Sequence, residues 1–399
     1  MNSSGCNTSR FLLGVAIIAV LFLPALAHAQ GYLQTNLVSN NSSKIPAAYT
    51  DSHLVNPWGL VQGPTTPFWV SDQVTNVSTL YTGSGMPVPE VPPLVVSIPT
   101  VGTGPVNGPT GIVFNPDGGF LLPPTSSTNP ALFIFANLNG EISGWDPMST
   151  GGLHSAVTEV TSKGAVYTGL AINATGSLIY AADFTPRGHV NVFDSSWASL
   201  GSLPSLPSSI KLPHNYEPYN VADINGTLFI AYDPIHVHGS DAGLPVLGSG
   251  HGAVIEYNPT TMSYTELIGP GKGDGLDVPW GFAMAPSTGF GKFSGDLLVG
   301  DFGSGWISAY SPSTGKFLGY LDSTSGKPIT DGGLWTLVFG NGAAGTSTDT
   351  LYITAGITQP LQTEGLLAAI NNSPEPSTFV LFGLGALALA LGRRRRLLH

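Results

Sequence analysis

The sequence predicts an all-β protein built from six repeats, and three observations lead to that prediction. The chain has 399 residues, with 52 glycines, 33 prolines and 9% charged residues, a composition that favours turns over long helices. A short apolar segment, which contains Pro-x-Gly in three copies, recurs six times at intervals of about 55 residues. Each copy continues into further short apolar segments, so the repeated unit is a small sheet.

The repeat has four parts, and the first part is the apolar opening. The six openings are NPWGLV (56–61), GPTGIVF (108–114), VYTGLAI (166–172), EPYNVAD (217–223), VPWGFAM (278–284) and GLWTLVF (333–339). A second apolar strand follows and usually ends in an acid; the six end positions are Asp72, Asn137, Asp183, Asp233, Asp301 and Gly356. A third strand comes next, and a fourth precedes the next opening in most copies. Four strands in about 55 residues are typical of one propeller blade.

The two ends of the repeated region indicate how the ring closes. The last copy lacks a fourth strand, while the stretch YLQTNLVSN (32–40) is a strand without a repeat of its own. If the N-terminal strand completes the last blade, the ring closes and no sheet edge stays open. We therefore predict a six-bladed β-propeller over residues 31–372, closed by its N-terminal strand. A large β-sandwich is the alternative.

The N-terminal segment has the three parts of a secretory signal peptide. Arg10 precedes an apolar stretch at 11–23, and the small residues Ala27 and Ala29 follow it. This order predicts a signal helix over residues 1–29, which signal peptidase cuts after Ala29. An uncleaved membrane anchor is the alternative. Cys6, the one cysteine of the chain, leaves with the peptide, so the exported chain has no disulfide.

The C-terminal segment, residues 374–399, joins a short motif to an apolar run and a basic cluster. The motif is Pro374, Glu375 and Pro376, and 13 apolar residues follow at 379–391. As a helix this run is about 20 Å long, short for a hydrocarbon core of about 30 Å. The basic cluster consists of Arg393, Arg394, Arg395 and Arg396. By the positive-inside rule it stays in the cytoplasm and the propeller lies outside. We predict a short transmembrane helix here.

The order of these three C-terminal elements resembles the PEP-CTERM sorting signal of Gram-negative bacteria. The resemblance implies anchoring in the inner membrane, processing by an exosortase, and delivery to the cell surface or an exopolysaccharide matrix. An ordinary C-terminal tail anchor is the alternative. The repeats resemble NHL-type six-bladed propellers, and the stretches GYLQTNLVSN, NPWGL and WVSDQVTNVSTLY are similar to a family of uncharacterised secreted bacterial proteins. That resemblance implies a fold and a location and carries no catalytic residue.

Charge excludes one class of partner. Residues 31–372 hold 8 of the 13 basic residues and 23 of the 24 acidic ones. Such an acidic surface repels a phosphate polymer, so we expect no nucleic-acid partner.

A long loop in the fourth copy contains the candidate metal ligands. Asp233, His236, His238, Asp241 and His251 occur within 19 residues of one another, and imidazole with carboxylate is a ligand set for Zn²⁺ or a similar divalent ion. Solvated surface histidines in a glycine-rich loop are the alternative interpretation. A divalent metal at Asp233, His236, His238 and His251 is the one cofactor that the sequence suggests.

Two repeated features have both a structural and a functional interpretation. The acids Asp72, Asp183, Asp233 and Asp301 either accept bonds from backbone N–H groups in the turns that follow them or form a cation-binding mouth. Trp58, Trp280, Trp335 and Tyr219 either fill the core or stack on a ligand ring. For both features the structural interpretation is favoured, because a position that repeats in each blade needs no ligand.

The function expected from the sequence is binding. The signatures Gly-x-Ser-x-Gly and His-Glu-x-x-His are absent from the sequence, so the usual serine and zinc hydrolase signals are missing. We expect an exported binding or scaffold protein that contacts exopolysaccharide or another surface protein. A metal-dependent extracellular hydrolase or lactonase is the alternative, based on analogy with other six-bladed propellers.

Overall fold

Six β-sheets, one for each repeat, form the protein in the computed structural model. The structure describes residues 31–100, 107–124, 129–271, 275–357 and 362–373. Within these ranges, five sheets have four antiparallel strands each, and the sixth has five strands, one of which pairs parallel with its neighbour. Each sheet is a blade, and we number the blades 1 to 6 in the chain order of their innermost strands. The prediction of an all-β, six-bladed propeller is confirmed.

The strands, numbered in chain order, occupy four positions from the axis outward. The innermost strands are β3 (Pro57–Gln62), β7 (Pro109–Phe114), β11 (Tyr167–Ile172), β15 (Tyr216–Ile224), β19 (Pro279–Met284) and β23 (Leu334–Phe339). The second strands are β4 (Phe68–Asp72), β8 (Phe133–Asn137), β12 (Leu178–Asp183), β16 (Thr227–Pro234), β20 (Leu297–Asp301) and β24 (Leu351–Ala355). The third strands are β5 (Val77–Tyr81), β9 (Glu141–Trp145), β13 (Val190–Asp194), β17 (Ala253–Asn258), β21 (Ile307–Tyr310) and β25 (Leu366–Ser373). The fourth strands are β6 (Val95–Ser97), β10 (Val157–Thr161), β14 (Ser199–Ser202), β18 (Ser263–Ile268), β22 (Phe317–Tyr320) and, in blade 6, β1 (Gly31–Ser39).

Strand β1 closes the ring as the sequence predicts. It pairs antiparallel with β25 from Gly31 opposite Ser373 to Ser39 opposite Leu366. Two details differ from the prediction. The last strand continues to Ser373, one residue beyond the predicted boundary, and a short extra strand, β2 (Tyr49–Thr50), pairs parallel with β1 at the outer edge of blade 6.

The strand pairings that close the ring all lie within the propeller itself. Residues Ala29–Pro374 form one compact unit, and every strand pairing in the described ranges lies within residues 31–373. A segment with its own core and its own closed strand pairing is able to fold alone. The predicted signal helix and C-terminal helix lie outside the described residues. Among the described residues, no helix is long and apolar enough to cross a membrane.

The second strands are buried on both faces, which explains their uninterrupted apolar sequences. Every residue of β8 and of β24 is buried. Neighbouring blades cover the two faces of each sheet, so period-2 alternation is lost and a continuous apolar run takes its place. The core therefore lies between the blades, as separate apolar layers around the axis.

The glycine of the repeated opening is required where neighbouring blades meet at the axis. A Cβ atom on Gly111 would lie 2.4 Å from the backbone nitrogen of Leu170, and one on Gly281 would lie 2.3 Å from the carbonyl oxygen of Trp335. No side chain fits at such distances. The close approach of adjacent innermost strands therefore explains the glycine of the Pro-x-Gly pattern.

Side-chain hydrogen bonds join the same strands from blade to blade. Thr110 Oγ1 donates to the carbonyl oxygen of Tyr167 at 2.7 Å, and Thr168 Oγ1 donates to that of Tyr219 at 2.7 Å. Thr336 Oγ1 donates to the carbonyl oxygen of Trp58 at 2.7 Å, which links blade 6 to blade 1. The first two bonds are buried and the third is partly buried, and all three connect neighbouring innermost strands around the axis.

Candidate functional site

A pocket of about 400 Å³ opens on the axis at one face of the propeller. We call this face the entry face, because the innermost strands begin there and the second strands end there. We call the cavity the axial pocket. Its lining residues are Asn56, Trp58, Gln73, Leu138, Val166, Thr168, Phe184, Tyr219, Ala242, Gly243, Leu244, Pro245, Leu247, Phe302, Trp335 and Gln362. Pockets of this size accept small molecules.

Aromatic rings form the inner wall of the axial pocket. The rings of Trp58 and Trp335 stack with centroids 3.6 Å apart and planes inclined by 19°. Phe302 lies 4.4 Å from Trp335, and Phe184 lies 4.4 Å from Tyr219. All five residues are buried. They belong to the core and also line the pocket. The core interpretation is confirmed for Trp58, Tyr219 and Trp335, and stacking on a ligand ring stays a prediction.

The polar groups of the wall bond mainly to one another. Trp335 Nε1 donates to Asn56 Oδ1 at 2.9 Å, and Asn56 Nδ2 donates to Gln73 Oε1 at 2.8 Å. Gln73 Nε2 donates to the carbonyl oxygen of Asn107. Trp58 Nε1 is the exception, since it is buried and has no hydrogen-bond partner in the described part of the chain. A buried donor of this kind calls for an acceptor from elsewhere.

The long loop of blade 4 covers one side of the axial pocket. We call residues 236–250 the lid. Its backbone folds back on itself, because His236 N donates to the carbonyl oxygen of Leu244 at 2.9 Å and Gly243 N to that of His236 at 2.8 Å. The backbone nitrogen of Gly248 donates to Asp277 Oδ1 at 2.7 Å, which attaches the lid to blade 5.

The lid contributes apolar side chains to the pocket wall. Leu244 and Leu247 line the pocket and are 52% and 47% exposed, respectively. Large apolar side chains half open to water beside an apolar cavity mark a surface that a ligand would cover. Sequence reasoning missed them, since it searched the loop for metal ligands. The apolar stretch GLPVL (243–247) was the available signal.

The structure does not bring the predicted metal ligands together as a metal centre. Asp233 is fully buried at the end of β16, His238 is exposed on the lid, and His251 Nδ1 lies 2.8 Å from the carbonyl oxygen of Val246. His236 is half-buried, and its backbone groups bond to Leu244 and Gly243 of the lid. Throughout the described ranges, no group of three or more His, Cys, Asp or Glu residues is arranged to hold a metal ion.

The acids that end the second strands lie beneath the entry face and outside the pocket lining. Asp183 Oδ1 accepts from the backbone nitrogen of Val166 at 2.9 Å, and Asp301 Oδ1 accepts from that of Asp277 at 3.1 Å. Asp72 Oδ2 accepts from Thr79 Oγ1 at 2.7 Å. The structural interpretation holds for these three, with a correction. These donors lie before the innermost strand or in the third strand. Asp183 also accepts a hydrogen bond from the side chain of Thr185, which lies in the turn that follows β12.

Asp233 differs from the equivalent acids. Both of its carboxylate oxygens are buried and have no hydrogen-bond partner among the described residues. Burial raises the pKa of Asp233 well above its ordinary value, and the charges of Asp301 and Asp277 raise the pKa further. A carboxyl group in such a place favours its neutral, protonated form.

This pKa shift makes a testable prediction for stability. Because the folded pKa of Asp233 exceeds the unfolded one, its contribution is full below about pH 4 and is lost as the pH rises through the folded pKa. We expect Asp233→Asn to remove part of this decline. The free energy of unfolding of the variant, relative to that of the native protein, should therefore increase from pH 4 to pH 8. Urea unfolding at several pH values measures the difference.

The exposed lid residue Asp241 supplies the matched control. Asp241→Asn removes an exposed carboxylate from the lid, and it controls for the loss of one negative charge. Parallel stability curves for native and Asp233→Asn proteins would contradict the assignment of Asp233 as a buried, unpaired acid.

A second cavity of about 400 Å³ continues along the axis, away from the entry face. The later residues of the innermost strands form its wall, including Gly59 to Gln62 and Gly111 to Phe114. All of its lining residues, which include Asn220, Asp223 and Trp280, belong to the innermost strands, so no described loop covers it. The axial pocket, with its aromatic wall and its lid, is therefore the better candidate for a binding site.

Comparison with protein families identifies the C-terminal segment. Residues 374–396 match the family model described as the PEP-CTERM protein-sorting motif. This span begins with Pro374, Glu375 and Pro376 and ends at the arginine cluster, as the sequence predicts. The motif indicates an exported protein with a membrane-associated sorting signal that an exosortase processes.

The propeller is similar to two uncharacterised proteins of Acanthamoeba polyphaga mimivirus. Protein R648 is 29% identical over 309 residues, which cover 75% of this chain and 71% of the viral one. Protein L690 is 29% identical over 307 residues, covering 75% of this chain and 76% of its own. These relatives are viral, so the bacterial origin expected from the sequence has no support from them.

Two solved structures are also similar to this chain. Hydrazine synthase of Kuenenia stuttgartiensis is 15% identical, with a TM-score of 0.49 over 76% of this chain and 74% of its own. A gluconolactonase of Xanthomonas campestris is 16% identical, with a TM-score of 0.33 over 60% of this chain and 82% of its own. From its strands and from the matched motif, the chain is a six-bladed β-propeller that carries a PEP-CTERM sorting signal at its C-terminus.

Proposed function

We propose that this protein is a binding protein displayed outside the cell, whose axial pocket takes a small molecule. Its route outward begins with signal peptidase at Ala29 and ends with the exosortase, at the cell surface or in an extracellular matrix. There it contacts exopolysaccharide or another surface protein. The observation that carries the proposal is the aromatic pocket of about 400 Å³ beneath a lid with half-exposed leucines.

The character of the pocket wall favours binding over hydrolysis. None of the described residues that line the pocket is Asp, Glu, His, Lys or Arg. General acid–base catalysis needs a titratable side chain within hydrogen-bond reach of the substrate. Tyr219 is the one such side chain in the described wall, and burial raises its pKa well above the ordinary value. Activation of a water molecule by a metal needs a ligand set, and the described part of the chain arranges none. A hydrolase or lactonase therefore finds less support in this pocket than a binding protein.

The neutral fluorescent dye Nile red tests the proposal. We expect it to bind residues 31–373 and to brighten as it leaves water. The double variant Leu244→Asp/Leu247→Asp should weaken binding at least about ten-fold, because it places carboxylates against an apolar ligand. Both leucines are about half exposed, so the fold should tolerate the change.

Leu200→Asp is the matched control. Leu200 is 58% exposed on β14 of blade 3 and does not line the pocket, so this variant should bind the dye as the native protein does. If the native protein fails to bind the dye, or if the lid variant binds it equally well, the proposed function is wrong.

A further inference from the structure

The side chains of the axial pocket restrict the chemistry of its ligand. We infer that the pocket takes an uncharged, flat-ringed small molecule with one hydrogen-bond acceptor, such as a carbonyl oxygen, that pairs with Trp58 Nε1. This inference rests on the proposed function. It names the ligand class for the same pocket from four features of the wall.

The first feature is the absence of charge in the described pocket wall. No lining residue there is ionised at neutral pH. A charged ligand would lose its hydration without gaining an opposite charge, which is strongly unfavourable in an apolar cavity. The ligand is therefore neutral.

The second feature is the flat aromatic surface. Trp58 and Trp335 stack at 3.6 Å, and Tyr219 lies 6.4 Å from Trp58 and 6.3 Å from Trp335. These side chains are 6%, 3% and 1% exposed for Trp58, Tyr219 and Trp335, and the parts that line the pocket attract another flat ring by offset stacking or edge contacts. A ligand with an aromatic or similarly flat ring gains most from this wall.

The third feature is the engagement of the polar wall groups. Asn56, Gln73 and Thr168 already donate to partners within the protein. A sugar would bring many hydroxyl groups into a wall with few free partners, and each unmatched hydroxyl weakens binding. The wall thus favours a mostly apolar ligand over a saccharide, even where the surrounding matrix is polysaccharide.

The fourth feature is the unmatched donor. Trp58 is 6% exposed, lines the pocket, and its Nε1 has no partner within the described ranges. Buried donors in native proteins are nearly always paired. One acceptor on the ligand satisfies this group, and the aromatic wall fixes the orientation of the ring that carries the acceptor.

Three matched naphthalenes test the inference by displacement of Nile red from residues 31–373. The probes are 2-acetylnaphthalene, which is neutral with a carbonyl acceptor, 2-ethylnaphthalene, which lacks the acceptor, and 2-naphthoate, which is charged. We expect the ketone to bind about ten-fold more tightly than the ethyl compound, as one added hydrogen bond allows. The naphthoate should bind most weakly of the three.

The variant Trp58→Phe isolates the donor. It keeps an aromatic ring and removes the N–H group, so the ketone and the ethyl compound should bind about equally. Trp306→Phe is the matched control, because Trp306 Nε1 donates to Thr330 Oγ1 away from the pocket. This control should keep the ten-fold preference.

The possible failures are distinguishable. If Nile red binds but the native protein prefers the ethyl compound or the naphthoate, the inferred ligand class is wrong and the binding function stands. If the ketone preference survives in Trp58→Phe, the acceptor does not pair with Trp58, and the inference is again wrong. If neither the dye nor any naphthalene binds, the proposed function fails with it.

Discussion

Replacing Gly281 by alanine is expected to lower the free energy of unfolding of the propeller by about 3 kcal/mol, at the upper end of overpacking effects. The added Cβ would lie 2.3 Å from the carbonyl oxygen of Trp335 and 2.9 Å from the side chain of Leu337. The first contact is with backbone of the neighbouring blade, so relief requires movement of β19 against β23. That movement also disturbs the aromatic wall at Trp335.

Gly118→Ala is the matched control for this prediction. A Cβ on Gly118 has nothing within 4 Å, so the same change there should alter stability by less than about 0.5 kcal/mol. Urea unfolding of both variants gives the comparison. If Gly281→Ala is as stable as Gly118→Ala, the blades do not approach as closely as the structure indicates, and the repeated glycine has another cause.

Most of the fold could be predicted from the sequence, because the residues of each repeat indicate how its strands pack. The glycines of the openings mark the close contacts at the axis, and the continuous apolar second strands mark sheets covered on both faces. Ring closure followed from counting strands, since blade 6 lacks one and the N-terminus has one to spare. The exceptions are β2 and the exact end of β25, which depend on neighbours that are distant in sequence.

The site was harder to predict because its parts come from all around the ring. Trp58 and Trp335 were identified as repeated aromatics, yet their mutual stacking across the junction of blades 1 and 6 depends on closure. In this loop the sequence suggests metal ligands, which the described residues do not bring together as a metal centre. His251 Nδ1 lies beside the carbonyl oxygen of Val246 and His238 is exposed, whereas Leu244 and Leu247 line the pocket. Local sequence gives the residue types, and the tertiary fold decides which of them meet.

For the strand-end acids too, the sequence predicts the role, and the tertiary fold determines the hydrogen-bond partners. Their repetition predicted a structural role, and Asp72, Asp183 and Asp301 accept hydrogen bonds accordingly. Most of these donors lie outside the turn that follows each acid, so the sequence alone does not identify them. Asp233 has no such donor among the described residues, and nothing in its repeat position distinguishes it from the others.

A disulfide between β1 and β25, which would close the ring covalently, is the change with the largest expected stabilising effect. Leu33 lies opposite Asn371 in the antiparallel pairing of β1 with β25. Opposed residues of this kind have Cα atoms about 4.5–5.5 Å apart, within the range that a disulfide spans. The segment 31–373 contains no cysteine, so Leu33→Cys/Asn371→Cys creates a single cysteine pair. A bridge that closes so long a loop should stabilise the propeller by about 4–5 kcal/mol.

The yield of this disulfide under mild oxidation is the most direct test of the closed ring. We predict nearly complete crosslinking of Leu33→Cys/Asn371→Cys in the folded protein, measured by mass spectrometry, and a higher urea midpoint that reductant reverses. Leu33→Cys/Leu200→Cys, which pairs β1 with the outer strand of blade 3, should stay reduced. Equal crosslinking of the two pairs, or none in the first, would show that β1 does not complete the last blade.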